Sequence, residues 1–217
     1  MVKNYTILAP VGPYYPEGFA PVKLYADPYN VRAWPGGAGG SKIGSNYGPT
    51  IRPAVFASQK GYTQVLWLFR SSDDPWDSEV TEVGTMNLFV LWKNENGERE
   101  LITAPLDGTI LPGVTRQSVI ELAKEWGDCK VSERKYTIRE FINALNDGRV
   151  EEAFGSGTAA VVSPINEISF LDKSYKVPLG PQDEADKGAG PFARRVWDEL
   201  TSIQYGRKEH EWSVLVD

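Results

Sequence analysis

The chain has 217 residues, a formal net charge of -6 and no run of positive charges longer than Arg194-Arg195. This balance argues against a dedicated nucleic-acid binder, which would carry a basic face. A single histidine, His210, excludes a multi-histidine metal site and argues against a histidine-based catalytic triad, so we expect no bound metal. The single cysteine, Cys129, excludes an intrachain disulfide and fits a reducing compartment.

The sequence shows neither a membrane span nor a targeting segment. No apolar run approaches the ~20 residues that cross a bilayer as a helix. Met1–Leu8 is neither a basic-then-apolar secretory signal nor an Arg- and Ser-rich transit peptide. We therefore expect an intracellular protein without membrane contact, located in the cytoplasm or in mitochondria.

The first half of the chain is predicted to be rich in strands. Gly36–Gly48 contains too many glycines for a regular element, and Ser71–Ser78 is polar and acidic, which is typical of a surface insertion. Asn96-Gly97 between two β-rich runs predicts a hairpin. The predicted strands are Tyr5–Val11, Val22–Ala26, Gln64–Phe69, Met86–Lys93 and Arg99–Thr103.

The second half adds helices. Thr137 and Glu140 form a capping-box pattern, and Pro191 suits the first turn of a helix. Because strands and helices mix without regular βαβ alternation, we predict an α+β fold with a mostly antiparallel sheet or barrel and flanking helices. The predicted helices are Thr115–Trp126, Thr137 to about Asp147, and one that begins at Pro191; Val150–Phe154 and Ala159–Val162 are predicted strands around a Gly155–Thr158 turn, and Pro178–Gly190 is a predicted loop.

Lys42 lies in the glycine-rich bend, where the backbone can pass close to a ligand. A lysine taken alone is most often an exposed surface residue. The alternative is a lysine held in a pocket and desolvated enough to lose its proton and form a Schiff base.

A pyridoxal phosphate cofactor would need two further anchors, and the chain offers candidates for both. A carboxylate should face the pyridine nitrogen, and Glu82 lies in otherwise uncharged surroundings. The phosphate needs N–H groups and hydroxyls, which Leu111–Arg116, at a predicted helix start, and Gly155–Ala159 can supply. Each feature also has an ordinary explanation: an exposed strand-end glutamate, a capped helix and a tight structural turn.

Four linked motifs resemble the branched-chain amino-acid aminotransferases, which are class IV, fold-type IV pyridoxal phosphate enzymes. The motifs follow the family's order, and the similarity extends over the whole chain to Asp198–Arg207 (DELTSIQYGR). Gln64–Leu68 (QVLWL) and Lys130–Arg134 (KVSER) resemble the eukaryotic type. The four motifs are Lys42–Gly48 (KIGSNYG), Glu82–Asn87 (EVGTMN), Leu111–Arg116 (LPGVTR) and Phe154–Ala159 (FGSGTA).

The resemblance implies transamination between branched-chain L-amino acids (Leu, Ile, Val) and 2-oxoglutarate, giving branched-chain 2-oxo acids and glutamate. It implies that Lys42 forms the Schiff base with pyridoxal 5′-phosphate and moves a proton between the substrate α-carbon and the cofactor C4′. Tyr47 would bond the cofactor's phenolic oxygen, and Glu82 would pair with its ring nitrogen. Arg32 supports either the site or only the fold, with neither reading favoured.

The remaining site residues implied by the resemblance bind the phosphate and the substrate. Val114 and Thr115 would offer backbone amides to the phosphate, and Thr158 would offer a hydroxyl. The amides of Thr158 and Ala159 would face the substrate carboxylate, and Thr85 would line the cofactor pocket. Family members are typically homodimers, so we expect dimerisation.

The sequence departs from the family pattern in two places. We expect residues 1–217 to form the cofactor-binding large domain and the N-terminal small domain to be absent. The family's phosphate-binding arginine and most of the aromatic wall of the substrate pocket would then be absent as well. Ala160 and Ser163 stand where animal members carry a Cys-x-x-Cys pair, so we expect no thiol switch and a passive Cys129. Two alternatives stay open: another fold-type IV enzyme, such as a D-amino-acid aminotransferase or aminodeoxychorismate lyase, and a truncated homologue without turnover.

Overall fold

The computed structural model describes residues 3–10, 19–180 and 188–214. Within these ranges, nine strands form one sheet, and six of the strands close into a barrel. The strands are β1 Val22–Asp27, β2 Gln64–Phe69, β3 Glu79–Val83, β4 Met86–Lys93, β5 Arg99–Thr103, β6 Lys130–Glu133, β7 Val150–Gly157, β8 Val161–Phe170 and β9 Lys173–Lys176.

The barrel follows the order β3-β2-β1-β8-β7-β4, and the pairing of β3 with β4 closes it. β5 and β6 extend the sheet outward from β4, and β9 pairs with β8. Six of the nine pairings are antiparallel; β1 runs parallel to β2 and β8, and β5 runs parallel to β6. The predicted α+β fold with a mostly antiparallel barrel is therefore confirmed.

Helices flank the barrel, and three of them were predicted. The helix Val114–Trp126 is capped at its C-terminal end by Gly127, whose φ of +68° is left-handed. The capping box is present: the Thr137 hydroxyl accepts from the Glu140 amide, and the Glu140 carboxylate accepts from the Thr137 amide. The helices are α1 Gly44–Tyr47, α2 Ile51–Gln59, α3 Val114–Trp126, α4 Ile138–Asn146 and α5 Pro191–Gln204. No helix among the described residues is long and apolar enough to cross a membrane.

Strand β4 separates two hydrophobic clusters, because successive side chains of a strand point to opposite faces. Met86, Leu88 and Val90 join a cluster to which all six barrel strands contribute and which α4 covers. Phe89 and Leu91 join a second cluster, formed with the buried faces of α3 and α5. The barrel interior and the helix-covered outer face are thus two separate cores.

The amino-terminal prediction is wrong over the residues that can be judged. Tyr5–Pro10 contains no regular element, and Tyr5, Ile7 and Leu8 are exposed. Val11 lies outside the described residues, as do residues 181–187 of the predicted Pro178–Gly190 loop. A β-rich run forms a strand only where a partner strand accepts its hydrogen bonds.

The glycine-rich bend contains more helix than its composition predicts. The expectation of no regular element in Gly36–Gly48 is wrong at its end, where α1 forms and a 3-10 turn over Gly48–Thr50 leads into α2. The Asn46 amide donates to the Ala38 carbonyl at 2.5 Å and to the Ser41 carbonyl at 2.7 Å. These contacts hold the bend against the start of α1, which compensates for the poor helix propensity of glycine.

The predicted turn at Gly155–Thr158 lies further along the chain. Strand β7 continues to Gly157, and the turn occupies residues 158–160 before β8. A Cβ on Gly155 would lie 2.9 Å from both Met86 Cε and Val83 Cγ1. The glycine therefore permits close side-chain packing inside a strand rather than a turn.

Candidate active site

Glu82 occupies a tight hairpin between β3 and β4. It pairs directly with Asn87, and Val83 pairs with Met86, so only Gly84 and Thr85 form the turn. Gly84 has a φ of +57°, and a Cβ there would overlap the Gln64 side chain, so the turn requires glycine. The hairpin fixes the backbone on which the Glu82 carboxylate is carried.

The Glu82 carboxylate is buried, with 2% of the side chain exposed, and it has contacts from three directions. Its Oε1 accepts from the Leu111 backbone amide at 2.6 Å and lies 3.4 Å from Asn87 Nδ2. Its Oε2 lies 2.8 Å from Arg32 Nε. The carboxylate is therefore held in place by a loop, a neighbouring strand and a buried cation.

Arg32 holds the glycine-rich bend against the site. Its Nη1 donates to the carbonyls of Thr109 at 3.1 Å and Gly39 at 3.3 Å. The Nε group, although close to Glu82, makes no aligned hydrogen bond within the described structure, so its contact with the carboxylate is an ion pair. Arg32 is buried and contacts both the Glu82 carboxylate and the glycine-rich bend.

Burial dominates the protonation equilibrium of Glu82. It raises the pKa of the carboxyl group to about 7, against an opposing effect of Arg32, the Leu111 amide and Lys42. The position of Lys42 is therefore close enough for its charge to act on Glu82. At neutral pH this group is poised between its two protonation states.

Lys42 itself is exposed in this chain, and Tyr47 is half-buried. The described residues therefore do not bury Lys42 in a pocket. Asn46 anchors the segment between them through its two bonds to the preceding bend. The amine thus projects from an ordered segment without being enclosed by it.

The first turn of α3 directly follows the Glu82 contact at Leu111. Asn87 Nδ2 donates to the Leu111 carbonyl at 2.9 Å, and a Cβ on Gly113 would overlap Asn87 Oδ1. Gly113 is the N-cap of α3, and no side chain in the described chain caps it. Val114 is exposed and Thr115 half-buried. The first amides of a helix have no partner within the helix and carry partial positive charge, so this end favours an anion.

The strand register brings the β7–β8 turn beside the same hairpin. Asn87 pairs with Glu82 on one side and with Ser156 on the other, so the three residues form one row across β3, β4 and β7. Ser156 Oγ is buried and has no hydrogen-bond partner in the part of the chain that the structure describes. Thr158 and Ala159 follow in the turn and are exposed.

The structure brings some sequence-predicted residues together and leaves others open. Glu82, Arg32 and the segment leading to Val114 form one connected unit, whereas Lys42, Thr85, Thr158 and Ala159 are exposed. Asn87 and Ser156 were quoted in the sequence motifs without a role. A polar residue inside the apolar strand Met86–Lys93 was the available signal for Asn87, because a buried amide needs partners.

Comparison with known proteins identifies the family of the chain. The family model described as amino-transferase class IV matches residues 4–168, more than half of the chain. The chain is 53% identical over 214 residues to a protein of Dictyostelium discoideum named branched-chain-amino-acid aminotransferase, covering 98% of this chain and 54% of that protein. The chain thus spans about half the length of this relative.

Solved structures show the same fold. The branched-chain amino acid aminotransferase of Escherichia coli has a TM-score of 0.71 at 25% identity, covering 94% of this chain and 59% of the other. The holo form of the Thermobaculum terrenum enzyme, crystallised in its PLP form, has a TM-score of 0.64 at 26% identity, covering 88% and 53%. With the family model, these similarities show that the chain belongs to the class IV aminotransferases.

Proposed function

We propose that this protein binds pyridoxal 5′-phosphate and contributes to transamination between branched-chain L-amino acids (Leu, Ile, Val) and 2-oxoglutarate. The products are branched-chain 2-oxo acids and glutamate. The observation that carries the proposal is the buried Glu82 carboxylate, which accepts at 2.6 Å from Leu111, two residues before the uncapped N-cap of α3. Glu82 can accept a hydrogen bond from a ring nitrogen, and the N-terminus of α3 can bind a phosphate. The short segment from Leu111 to the start of α3 connects these two groups.

The residues present fit this cofactor on chemical grounds. The amide end of α3 suits a phosphate. The Ser156 hydroxyl lies in the Glu82–Asn87 row and has no partner among the described residues, so it is a buried polar group that a ligand can satisfy. When bound, pyridoxal phosphate supplies an electron-withdrawing ring that stabilises negative charge on the substrate α-carbon. The relatives named for branched-chain substrates support the choice of substrate.

Each predicted residue has a distinct task in this proposal. The Lys42 amine would hold the cofactor and, when displaced by the substrate amine, would carry a proton between the substrate α-carbon and C4′. The Glu82 carboxylate, when ionised, would accept the ring N–H, and Arg32 and the Leu111 amide stabilise its charged form. The Tyr47 hydroxyl bonds the phenolic oxygen of the ring.

The phosphate and the substrate carboxylate take the remaining groups. The Val114 and Thr115 amides and the Thr158 hydroxyl hold the phosphate, the Thr158 and Ala159 amides face the substrate carboxylate, and Thr85 lines the pocket. We further propose that residues 1–217 form the large domain. A small domain and a second subunit complete the pocket and enclose Lys42, in a homodimer.

Absorbance spectroscopy with a matched lysine variant tests this function. The purified chain titrated with pyridoxal 5′-phosphate should develop a visible absorbance band that Lys42→Ala abolishes. Lys60→Ala is the control, because Lys60 is also exposed and lies over the Phe56 ring, 4.6 Å from its centroid. A band that persists in Lys42→Ala contradicts the assignment of Lys42.

A turnover assay tests the reaction separately from cofactor binding. Leucine and 2-oxoglutarate should yield glutamate with the wild-type chain and with Lys60→Ala, and none with Lys42→Ala. D-Alanine in place of leucine distinguishes a D-amino-acid aminotransferase. A Lys42-dependent band without any glutamate would identify a cofactor-binding homologue that lacks turnover and would contradict the proposed reaction.

A further inference from the structure

Arg116 lies in the first turn of α3 and is almost completely buried, with 1% of its side chain exposed. Its Nη2 donates to the Ala104 carbonyl at 2.8 Å and to Glu133 Oε2 at 2.8 Å. Glu133 is partly exposed, and Arg116 Nε has no hydrogen-bond partner within the described ranges. Burying a guanidinium group without all of its hydrogen bonds lowers the stability of the folded chain, so a functional reason for this arginine is worth seeking.

The charge of Arg116 is opposite to what helix stability favours. The amide end of a helix carries partial positive charge, so acidic side chains stabilise the first turn and cations destabilise it. The first turn of α3 contains Arg116 and no acidic residue, and its N-cap Gly113 provides no side-chain oxygen. A negatively charged ligand at this end would supply both the negative charge and the hydrogen-bond acceptor that the first turn lacks.

The contacts of Arg116 fix the helix end to the sheet. Ala104 directly follows β5, and Glu133 ends β6, where it pairs with Thr103. One guanidinium group therefore ties the start of α3 to two adjacent strand ends. From the other side, Asn87 bonds the Leu111 carbonyl and abuts Gly113. The first turn is held between these two supports.

We propose that Arg116 is a positioning residue for phosphate binding, which holds the first turn of α3 so that its amides converge on the cofactor's phosphate group. The inference rests on the proposed function, since the anion is the phosphate of pyridoxal 5′-phosphate. Arg116 acts through the helix and does not itself contact the ring. Neither the ion pair of Glu82 with Arg32 nor the Lys42 amine involves Arg116.

The test compares two ligands that differ only in the phosphate. Dissociation constants for pyridoxal 5′-phosphate and for pyridoxal are measured by quenching of tryptophan fluorescence in the wild type and in Arg116→Met. We expect the affinity for pyridoxal 5′-phosphate to fall about tenfold and the affinity for pyridoxal to change less than about twofold. A purely structural role would lower both affinities by the same factor or neither, and either result overturns the inference.

Variants of Glu133 keep the test decisive if Arg116→Met does not fold. The relevant quantity is the dissociation constant for pyridoxal divided by that for pyridoxal 5′-phosphate, which measures the preference for the phosphorylated ligand. Glu133→Gln retains an acceptor for Arg116 and should leave this ratio unchanged. Glu133→Ala removes the acceptor at a partly exposed position and should lower that ratio about threefold. The melting temperature of the cofactor-free variant shows whether Glu133→Ala is folded. If it is folded and its ratio is unchanged, the positioning role of Arg116 is refuted.

The two proposals fail in distinguishable ways. If the wild type binds pyridoxal 5′-phosphate no more tightly than pyridoxal, the phosphate site and the positioning role fall together. If the wild type prefers the phosphorylated ligand and the Arg116 and Glu133 variants keep that preference, the proposed function stands and only the role of Arg116 is refuted.

Discussion

Glu82 and Lys42 differ in how far the described residues enclose them. Glu82 is buried, with its carboxylate held by Arg32, Leu111 and Asn87. Lys42 is exposed on the segment that leads into α1. In our proposal, the anchor for the ring nitrogen is therefore built from buried residues of this chain, whereas the described residues leave the Lys42 amine exposed. We call the Glu82 surroundings the closed end of the proposed site and the Lys42 surroundings its open end.

Removal of Arg32 should have the largest effect on the closed end. Arg32→Met deprives the Gly39 and Thr109 carbonyls of their donor and leaves the buried Glu82 without a cation. We expect the free energy of unfolding to fall by about 3–5 kcal/mol at pH 8. Urea denaturation monitored by circular dichroism measures this loss.

Arg52→Met provides the control for that experiment, because residue 52 is an exposed arginine on α2. Its loss of stability should stay within about 0.5 kcal/mol. A similarly small loss in Arg32→Met would show that the closed end does not depend on its buried ion pair.

The protonation of Glu82 gives the next largest effect. Its pKa is raised from 4.5 to about 7, so the folded chain retains between these values a proton that the unfolded chain releases. The resulting stability is fully present below pH 4.5 and is lost as the pH rises through 7. Glu82 should therefore make the chain up to about 3 kcal/mol less stable at pH 8.5 than at pH 5.

Glu82→Gln isolates this contribution, since glutamine cannot titrate. The difference in unfolding free energy between pH 5 and pH 8.5 should shrink by about the same 3 kcal/mol in the variant. The slope that remains includes Glu152, whose pKa burial also raises. Identical pH profiles for wild type and variant would mean that Glu82 keeps its ordinary pKa.

The elements that sequence predicted correctly are those with local signals. Asn96-Gly97 fixed the hairpin between Met86–Lys93 and Arg99–Thr103, and the capping box marked the start of α4. The short edge strands Lys130–Glu133 and Lys173–Lys176 carry no comparable signal, because partner strands determine them.

The site shows the same limit. Local sequence offered Lys42 and Glu82 only as candidates, and their roles came from the resemblance of linked motifs. The ion pair of Arg32 with Glu82 joins residues far apart in sequence, so only the folded chain brings them together. Asn87 acquires its importance from its pairing with Glu82 and its bond to Leu111, both of which require the folded chain.

The smallest effect on stability should come from Lys42, the residue to which our proposal assigns the central chemistry. Lys42→Ala abolishes attachment of the cofactor in our proposal, yet its side chain is exposed and packs little surface in this chain. We expect the cofactor-free unfolding free energy to change by no more than about 0.5 kcal/mol, because exposed substitutions away from buried contacts rarely exceed this value. Urea denaturation of the cofactor-free proteins at pH 8 measures the difference. A loss as large as that of Arg32→Met would mean that Lys42 is also held in a closed network, and the contrast between the two ends of the site would disappear.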